Sequence, residues 1–177
     1  IYHIYNRGNG SGNIFYQHEN YIYFLNQYYK FTKNILDTFA FCLLPNHFHI
    51  MARIRIDSPE MISETFRKFF ISYSMSINKQ QERKGSLFQR GFKRKLIDDE
   101  NYFYAAVYYI HSNPVHHSIV KQIDSYKYSS YNILIGEKET KLQRQEIFDW
   151  FNGKDNFIEY HRKERNKVFD DSFIIQD

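Results

Sequence analysis

Two histidines separated by one residue occur in the segment at residues 45–50, PNHFHI. In an extended strand, residues two apart point to the same face, so the imidazoles of His47 and His49 face one spot. Two imidazoles at one spot can hold a metal ion. Taken alone, such a pair is more often a surface or hydrogen-bonded feature than a metal site, so the neighbouring residues have to decide.

The strand that these histidines open has two chemically different faces. Its apolar face predicts a core and consists of Phe48, Ile50, Ala52, Ile54 and Ile56. The opposite face carries the two histidines together with Arg53 and Arg55. A face that mixes imidazole with guanidinium suits a metal and a phosphate ester better than it suits ordinary solvent exposure.

A second pair stands at residues 109–115, YIHSNPV. Tyr109 and Asn113 are four residues apart, which places both on one side of a helix. In their plain interpretation the tyrosine is a core residue and Asn113 is a C-terminal cap, because the residue before a proline tends to leave the helical conformation. An amide oxygen beside two imidazoles would nevertheless leave open positions on a six-coordinate ion, which predicts Mg²⁺ or Mn²⁺ as the cofactor.

These segments resemble a known family. PNHFHI resembles the histidine-hydrophobic-histidine motif of the small single-tyrosine transposases of insertion sequences, and YIHSNPV resembles the nucleophile helix of their relatives associated with repetitive extragenic palindromes. Residues 2–8, 85–92 and 128–131 resemble further segments of the family in the same order, so the resemblance covers residues 2 to about 135. It implies that Tyr109 is the nucleophile and that His47, His49 and Asn113 hold the metal.

The charge pattern predicts a nucleic-acid partner. The chain has a net charge of +4, and residues 83–97 contain six basic residues and no acidic one, interleaved with aromatic side chains. Such a mixture binds backbone phosphates and stacks bases, although a solvated basic loop is the alternative. The residues that we predict to contact DNA are Arg7, Arg53, Arg55, Arg90, Lys93, Arg94 and Lys95.

The periodicity of apolar residues predicts the order strand, helix, strand, strand, helix, strand, with a further helix from Asp99 to Asn113. This order indicates an α+β, ferredoxin-like (split βαβ) antiparallel sheet, with helices on one face and the nucleophile helix on the other. We predict a catalytic domain at residues 1–135 and a helical extension at residues 136–177. In the extension, helices are predicted at residues 143–151 and 156–165, which cover the core or mediate an oligomer contact, and residues 166–177 are predicted to be frayed or loosely packed.

The single Cys42 lies in an apolar run and cannot form a disulfide within the chain, which predicts a buried thiol and a reducing compartment. No apolar stretch approaches the length of a membrane span and no signal peptide is evident, so we expect a cytoplasmic protein with no membrane partner.

The predicted function is cleavage and rejoining of single-stranded DNA with a divalent metal ion. The resemblance implies a covalent 5′-phosphotyrosine with a free 3′-hydroxyl, a hairpin-containing strand as partner, and either a monomer or an active-site-sharing homodimer. One alternative is a domesticated protein that binds DNA hairpins without cutting them. A structural metal module is disfavoured, because such a zinc site needs four cysteine or histidine ligands and only two are found here.

Overall fold

A computed structural model describes residues 1–164 of the chain. Four strands form one antiparallel sheet in the order β2-β3-β1-β4. Their bounds are β1 (Tyr2–Arg7), β2 (Leu36–Leu44), β3 (His47–Ile54) and β4 (Lys93–Leu96). Strand β3 therefore lies between β1 and β2. The predicted mixture of helices with an antiparallel sheet is confirmed.

Six helices accompany the sheet: α1 (His18–Thr32), α2 (Pro59–Gln80), α3 (Glu100–His116), α4 (Tyr131–Ile135), α5 (Arg144–Trp150) and α6 (Lys154–Lys163). The hydroxyl of Ser58 accepts a hydrogen bond from the backbone N–H of Met61 and caps α2. The carboxylate of Asp99 caps α3 in the same way through the N–H of Tyr102. None of the helices in the described range is long and apolar enough to cross a membrane.

The apolar face of β3 forms the main core with helices α1 and α2. Phe48, Ile50 and Ala52 are fully buried there against Phe24 and Phe69. Burying an aliphatic or aromatic side chain of this size contributes about 1.5–3 kcal/mol, so this layer supplies much of the stability of the sheet.

The opposite face of the sheet carries α3, as predicted, and also the helices of the C-terminal extension. Met51 of β3 and Val107 of α3 are fully buried in a second apolar cluster with Ile147 of α5 and Phe157 of α6. The extension therefore covers part of this face of the sheet. The predicted loose packing of residues 166–177 lies outside the described residues.

The predicted end of α3 at Asn113 is wrong, because the helix continues through Pro114 to His116. A proline in a helix lacks the backbone N–H and its ring crowds the carbonyl one turn earlier. Only about half a turn of α3 follows Pro114, so few helical hydrogen bonds are disturbed. Asn113 is therefore not a C-terminal cap. Its side-chain Nδ2 instead donates to the carbonyl of Tyr109 at 3.0 Å.

A buried chain of hydrogen bonds joins the C-terminal extension to helix α3. His161 of α6 donates from Nδ1 to the carbonyl of Phe157 at 2.8 Å, which leaves its Nε2 to accept from Nδ1 of His111 on α3 at 2.9 Å. Ser130 lies 2.8 Å from the other nitrogen of His111. Burial lowers the pKa of His161 to about 4 and holds the pKa of His111 well below its usual value.

These pKa values predict a loss of stability in mild acid. A histidine in the unfolded chain has a pKa near 6.5. Between about pH 6.5 and 4, His161 is therefore protonated in the unfolded chain and neutral in the folded protein. The free energy of unfolding should fall by about 3 kcal/mol across this window through His161 alone. Urea unfolding at pH 7.5, 5.5 and 4.5 measures the loss. We expect His161→Phe to show a shallower dependence on pH, and an equal slope in both proteins would contradict the assignment.

Gly8 fixes the loop that follows β1 against the turn before β3. Its N–H donates to the carbonyl of Asn46 at 2.7 Å, and a Cβ at this position would lie 1.8 Å from the carbonyl oxygen of Gly12. Gly8→Ala should therefore lower the free energy of unfolding by about 1–3 kcal/mol, as overpacking does elsewhere. Gly12→Ala is the matched control, since its Cβ would meet its nearest atom at 3.3 Å. Equal effects of the two substitutions in chemical denaturation would refute this explanation.

Candidate active site

The two histidines of the motif lie at the start of β3, directly after the turn at Pro45 and Asn46. The centroids of their rings are 5.2 Å apart and the ring planes are nearly perpendicular. His49 is buried, whereas His47 is partly exposed. The Nδ1 of His47 lies 2.7 Å from the side-chain oxygen of Asn46. Because that oxygen only accepts hydrogen bonds, Nδ1 of His47 carries the proton and its Nε2 carries the lone pair.

Helix α3 brings its tyrosine and asparagine to these histidines. The ring of Tyr109 meets the ring of His49 edge-on, with centroids 5.4 Å apart. The side chain of Asn113 raises the pKa of His47, so it lies close to that imidazole. The four residues that the sequence singled out for chemistry therefore lie together within one chain. Tyr109 is only 1% exposed, so its hydroxyl lies inside the protein rather than at the surface.

Burial keeps the histidines of the site neutral. It lowers the pKa of His47 to about 4, with a further lowering by the nearby charge of His117 and an opposing effect of the Asn113 side chain. Burial also holds the pKa of His49 well below its usual value. A metal ligand must be a neutral imidazole, so these histidines are in the required form at neutral pH.

The donor set fits a divalent ion that keeps open positions. The Nε2 of His49 is buried and has no hydrogen-bond partner among the described residues, which is an unusual state for a buried polar atom. Residues 1–164 hold no cluster of three or more histidine, cysteine or acidic side chains. Any ion here would therefore rely on His47, His49 and an amide oxygen, with the remaining positions filled by water or substrate oxygens.

A cleft of about 190 Å³ opens beside the two histidines. Its walls come from the ends of β1 and β3 and from the segment before β4; the lining residues are Tyr5, Asn6, Arg7, His47, Phe48, His49, Gln89, Arg90, Gly91 and Lys93. Three of the basic residues predicted to bind DNA, Arg7, Arg90 and Lys93, thus lie around the same cleft. Their positive charges favour a phosphate group at this place.

The other predicted DNA contacts lie elsewhere. Lys95 pairs with His3 in the β1–β4 register and lies on the side of the sheet that faces α3. Arg94 is exposed, pairs with buried Ile4 and points to the other side of the sheet. Arg53 and Arg55 lie near the far end of β3. Both pair with Asp37, and Arg53 also pairs with Glu146 of α5. Their predicted contact with DNA stays a prediction, and these ion pairs argue against it.

Sequence reasoning did not single out His3 of β1. It is fully buried, and its Nε2 lies 2.9 Å from Nδ1 of His49. Its ring also meets the edge of Tyr109, with centroids 6.1 Å apart. Burial, helped by the charge of Lys95, lowers the pKa of His3 to about 3. The alternation of His3 with apolar Ile4 in a predicted strand was the signal that could have identified it.

Comparison with known proteins supports the resemblance seen in the motifs. A Haemophilus influenzae protein with the provisional name REP-associated tyrosine transposase is 28% identical over 104 residues. The chain resembles the REP-associated tyrosine transposases. The matched part is 54% of this chain and 59% of that relative, so the chain spans little more than half the length of this curated relative. No family model matches the chain.

A solved structure has the same fold. It is described as a REP-associated tyrosine transposase bound to a REP hairpin, and it superposes with a TM-score of 0.61 over 76% of this chain and 77% of that one. The two sequences are 18% identical, so this likeness concerns the fold. The arrangement of the sheet and the helices around it is thus shared with a REP-associated tyrosine transposase.

Proposed function

We propose that this chain cuts and rejoins single-stranded DNA through a covalent 5′-phosphotyrosine. The observation that carries the proposal is the contact between Tyr109 and His49 in one chain, beside a cleft lined with arginine and lysine. A nucleophile, candidate metal ligands and a phosphate-binding surface are the parts that such a reaction needs. The provisional name of the Haemophilus influenzae relative and the hairpin bound in the structural neighbour point to hairpin-containing DNA as the substrate.

In the proposed reaction the phenolic oxygen of Tyr109 attacks the scissile phosphorus. A bond forms between this oxygen and phosphorus, the bond from phosphorus to the 3′ oxygen breaks, and the phenolic proton is lost while the 3′ oxygen gains one. The phosphodiester energy is kept in the phosphotyrosine, so the hydroxyl of a second strand can reverse the step without ATP. In this proposal one chain supplies the whole site, which is supported by the edge contact between Tyr109 and His49 of the same chain.

The residues around the phosphate have separate tasks in this proposal. His47, His49 and Asn113 would hold Mg²⁺ or Mn²⁺, which supplies stabilisation of the charge that develops on the phosphoryl oxygens. Arg7, Arg90 and Lys93 would orient the strand through its phosphates. An unperturbed tyrosine phenol has a pKa near 10 and stays protonated at neutral pH, so a tyrosine nucleophile needs such an environment to react.

The burial of Tyr109 favours a second candidate. With only 1% of its surface exposed, Tyr109 can reach a phosphodiester only if part of the cleft wall or α3 moves. A domesticated protein that binds DNA hairpins without cutting them would not need that movement. The two functions differ in one product, the covalent adduct.

Incubation of the protein with end-labelled, hairpin-bearing single strands and Mg²⁺ tests the proposal. We expect a protein-linked DNA product that survives denaturing electrophoresis. This product should not form when EDTA is added before the DNA. Tight binding of such strands without any adduct would favour the domesticated function instead.

Arg90 and Lys93 at the cleft, together with Lys95 further along β4, should govern the salt dependence of binding. Replacing Arg90, Lys93 and Lys95 with glutamine should weaken binding to all sequences and flatten the plot of log affinity against log salt by about 0.7 per lost phosphate contact. Fluorescence anisotropy at several salt concentrations measures this slope. Arg53→Gln is the matched control, because Arg53 is already paired with Asp37 and Glu146. An unchanged slope in the triple variant would place these residues away from the DNA.

A further inference from the structure

The hydrogen bond between His3 and His49 joins two adjacent strands on the face covered by α3. Both side chains are buried, at 0% and 2% exposure, and their rings stack with centroids 5.1 Å apart. The bond joins Nε2 of His3 to Nδ1 of His49 at 2.9 Å. We propose that His3 is a positioning residue that holds His49 in the tautomer able to bind a metal ion. The inference rests on the metal site proposed above.

The argument concerns which nitrogen of His49 carries the proton. If Nδ1 of His49 donates to Nε2 of His3, then Nε2 of His49 keeps its lone pair and can bind a cation. If His3 donates instead, Nε2 of His49 carries a hydrogen and cannot be a ligand. Only the first arrangement is compatible with a metal at this site, and it requires an acceptor at the position of Nε2 of His3.

The two candidate ligands have different outer partners. His47 is held by the amide oxygen of Asn46, which can only accept, so its tautomer is the same with or without metal. His3 can donate or accept, so it permits both tautomers of His49. Binding of a cation at Nε2 of His49 would select the tautomer with the proton on Nδ1. His3 can accept a hydrogen bond from that proton, so the change of tautomer loses no hydrogen bond.

The unpartnered nitrogens at this pair support the inference. Among the described residues nothing hydrogen-bonds to Nε2 of His49 or to Nδ1 of His3, although both atoms are buried. Two buried nitrogens without partners destabilise the fold. A cation on Nε2 of His49 would satisfy one of them, which gives the pair a function that packing alone does not explain.

The simpler explanation is that His3 only fills space. Its ring stacks on Tyr5, with centroids 4.9 Å apart, and meets the edge of Tyr109. A phenylalanine would preserve these ring contacts while removing both nitrogens. His3→Phe therefore separates packing from orientation of His49, and His3→Gln can restore an acceptor near the position of Nε2.

Titration with Mn²⁺, followed by electron paramagnetic resonance, measures the effect on metal affinity with and without a hairpin strand. We expect His3→Phe to weaken Mn²⁺ binding by about 10- to 100-fold, the usual cost of losing such an outer partner, and His3→Gln to recover most of the loss. His18→Phe on the exposed start of α1 is the control and should bind Mn²⁺ like the parent. Thermal unfolding of each variant reports whether the fold is kept.

A second measurement does not depend on any variant. Long-range ¹H–¹⁵N correlation spectra of the parent saturated with Mg²⁺ identify the protonated nitrogen of His49, and we expect it to be Nδ1. A proton on Nε2 under these conditions, or parental Mn²⁺ affinity in folded His3→Phe, would overturn the inference. Failure of the parent to bind Mn²⁺ would overturn it together with the metal site, whereas a parent that binds Mn²⁺ but forms no adduct would refute only the proposed cleavage.

Discussion

Replacing Tyr109 with phenylalanine should reduce the covalent DNA adduct by at least about 1,000-fold, because the substitution removes the attacking oxygen and nothing else. The ring would keep its edge contacts with His49 and His3, so the position of α3 should be preserved. Binding to a hairpin-bearing strand should stay within about threefold of the parent, which is less than 1 kcal/mol. Denaturing gels for protein-linked DNA and anisotropy for binding measure the two effects.

Tyr108→Phe is the matched control for this experiment. Tyr108 is as deeply buried as its neighbour, but it is turned by about 100° on the helix and its ring faces His161 of α6 at 5.7 Å. Cleavage should therefore survive this substitution. An adduct that persists in Tyr109→Phe would show that another of the 16 tyrosines is the nucleophile, and peptide mapping of the adduct would identify it.

Loss of either histidine of the motif should nearly abolish metal binding in the presence of DNA. His47→Ala or His49→Ala removes one of two imidazole ligands, so we expect Mn²⁺ affinity to fall by more than about 100-fold, beyond the cost of losing an outer partner. Binding of the metal to the parent should be weak without DNA and tighter when phosphate oxygens complete the shell. Calorimetric titration with and without a hairpin strand measures both effects.

His18→Ala provides the comparison for the two ligand substitutions. This histidine is exposed at the start of α1, where its Nδ1 lies 3.1 Å from the hydroxyl of Tyr128, and its loss should not change metal affinity. Parental affinity in folded His47→Ala and His49→Ala would mean that the ion binds elsewhere. In that case Asn113 would lose its proposed role as well.

The local order of elements could be predicted because it depends on short-range periodicity. Alternation of apolar residues along β3 predicts that His47 and His49 share a face, and the spacing of four predicts that Tyr109 and Asn113 share a side of α3. Capping residues such as Ser58 and Asp99 mark helix starts through hydrogen bonds to backbone N–H groups within three positions. Each of these features depends on residues that are close in the sequence.

Prediction was less secure where a local preference competes with packing. Pro114 disfavours the helical conformation of Asn113, yet α3 continues for a further half-turn. Asn113 is buried, its side chain bonds to the carbonyl of Tyr109, and it lies close to His47. Tertiary contacts of this kind outweigh a preference that costs little so close to a helix end.

The sequence by itself determined which residues share a face of each element, and through the family motifs it indicated which of them carry the chemistry. Only the tertiary structure decided how those faces meet. Tyr109 packs against His49, and His3 of β1 hydrogen-bonds to the same imidazole on β3. Arg53 pairs with Glu146, which is 93 residues away in the sequence. Side-chain periodicity follows from the geometry of one helix or strand, whereas these contacts depend on how whole elements pack against each other.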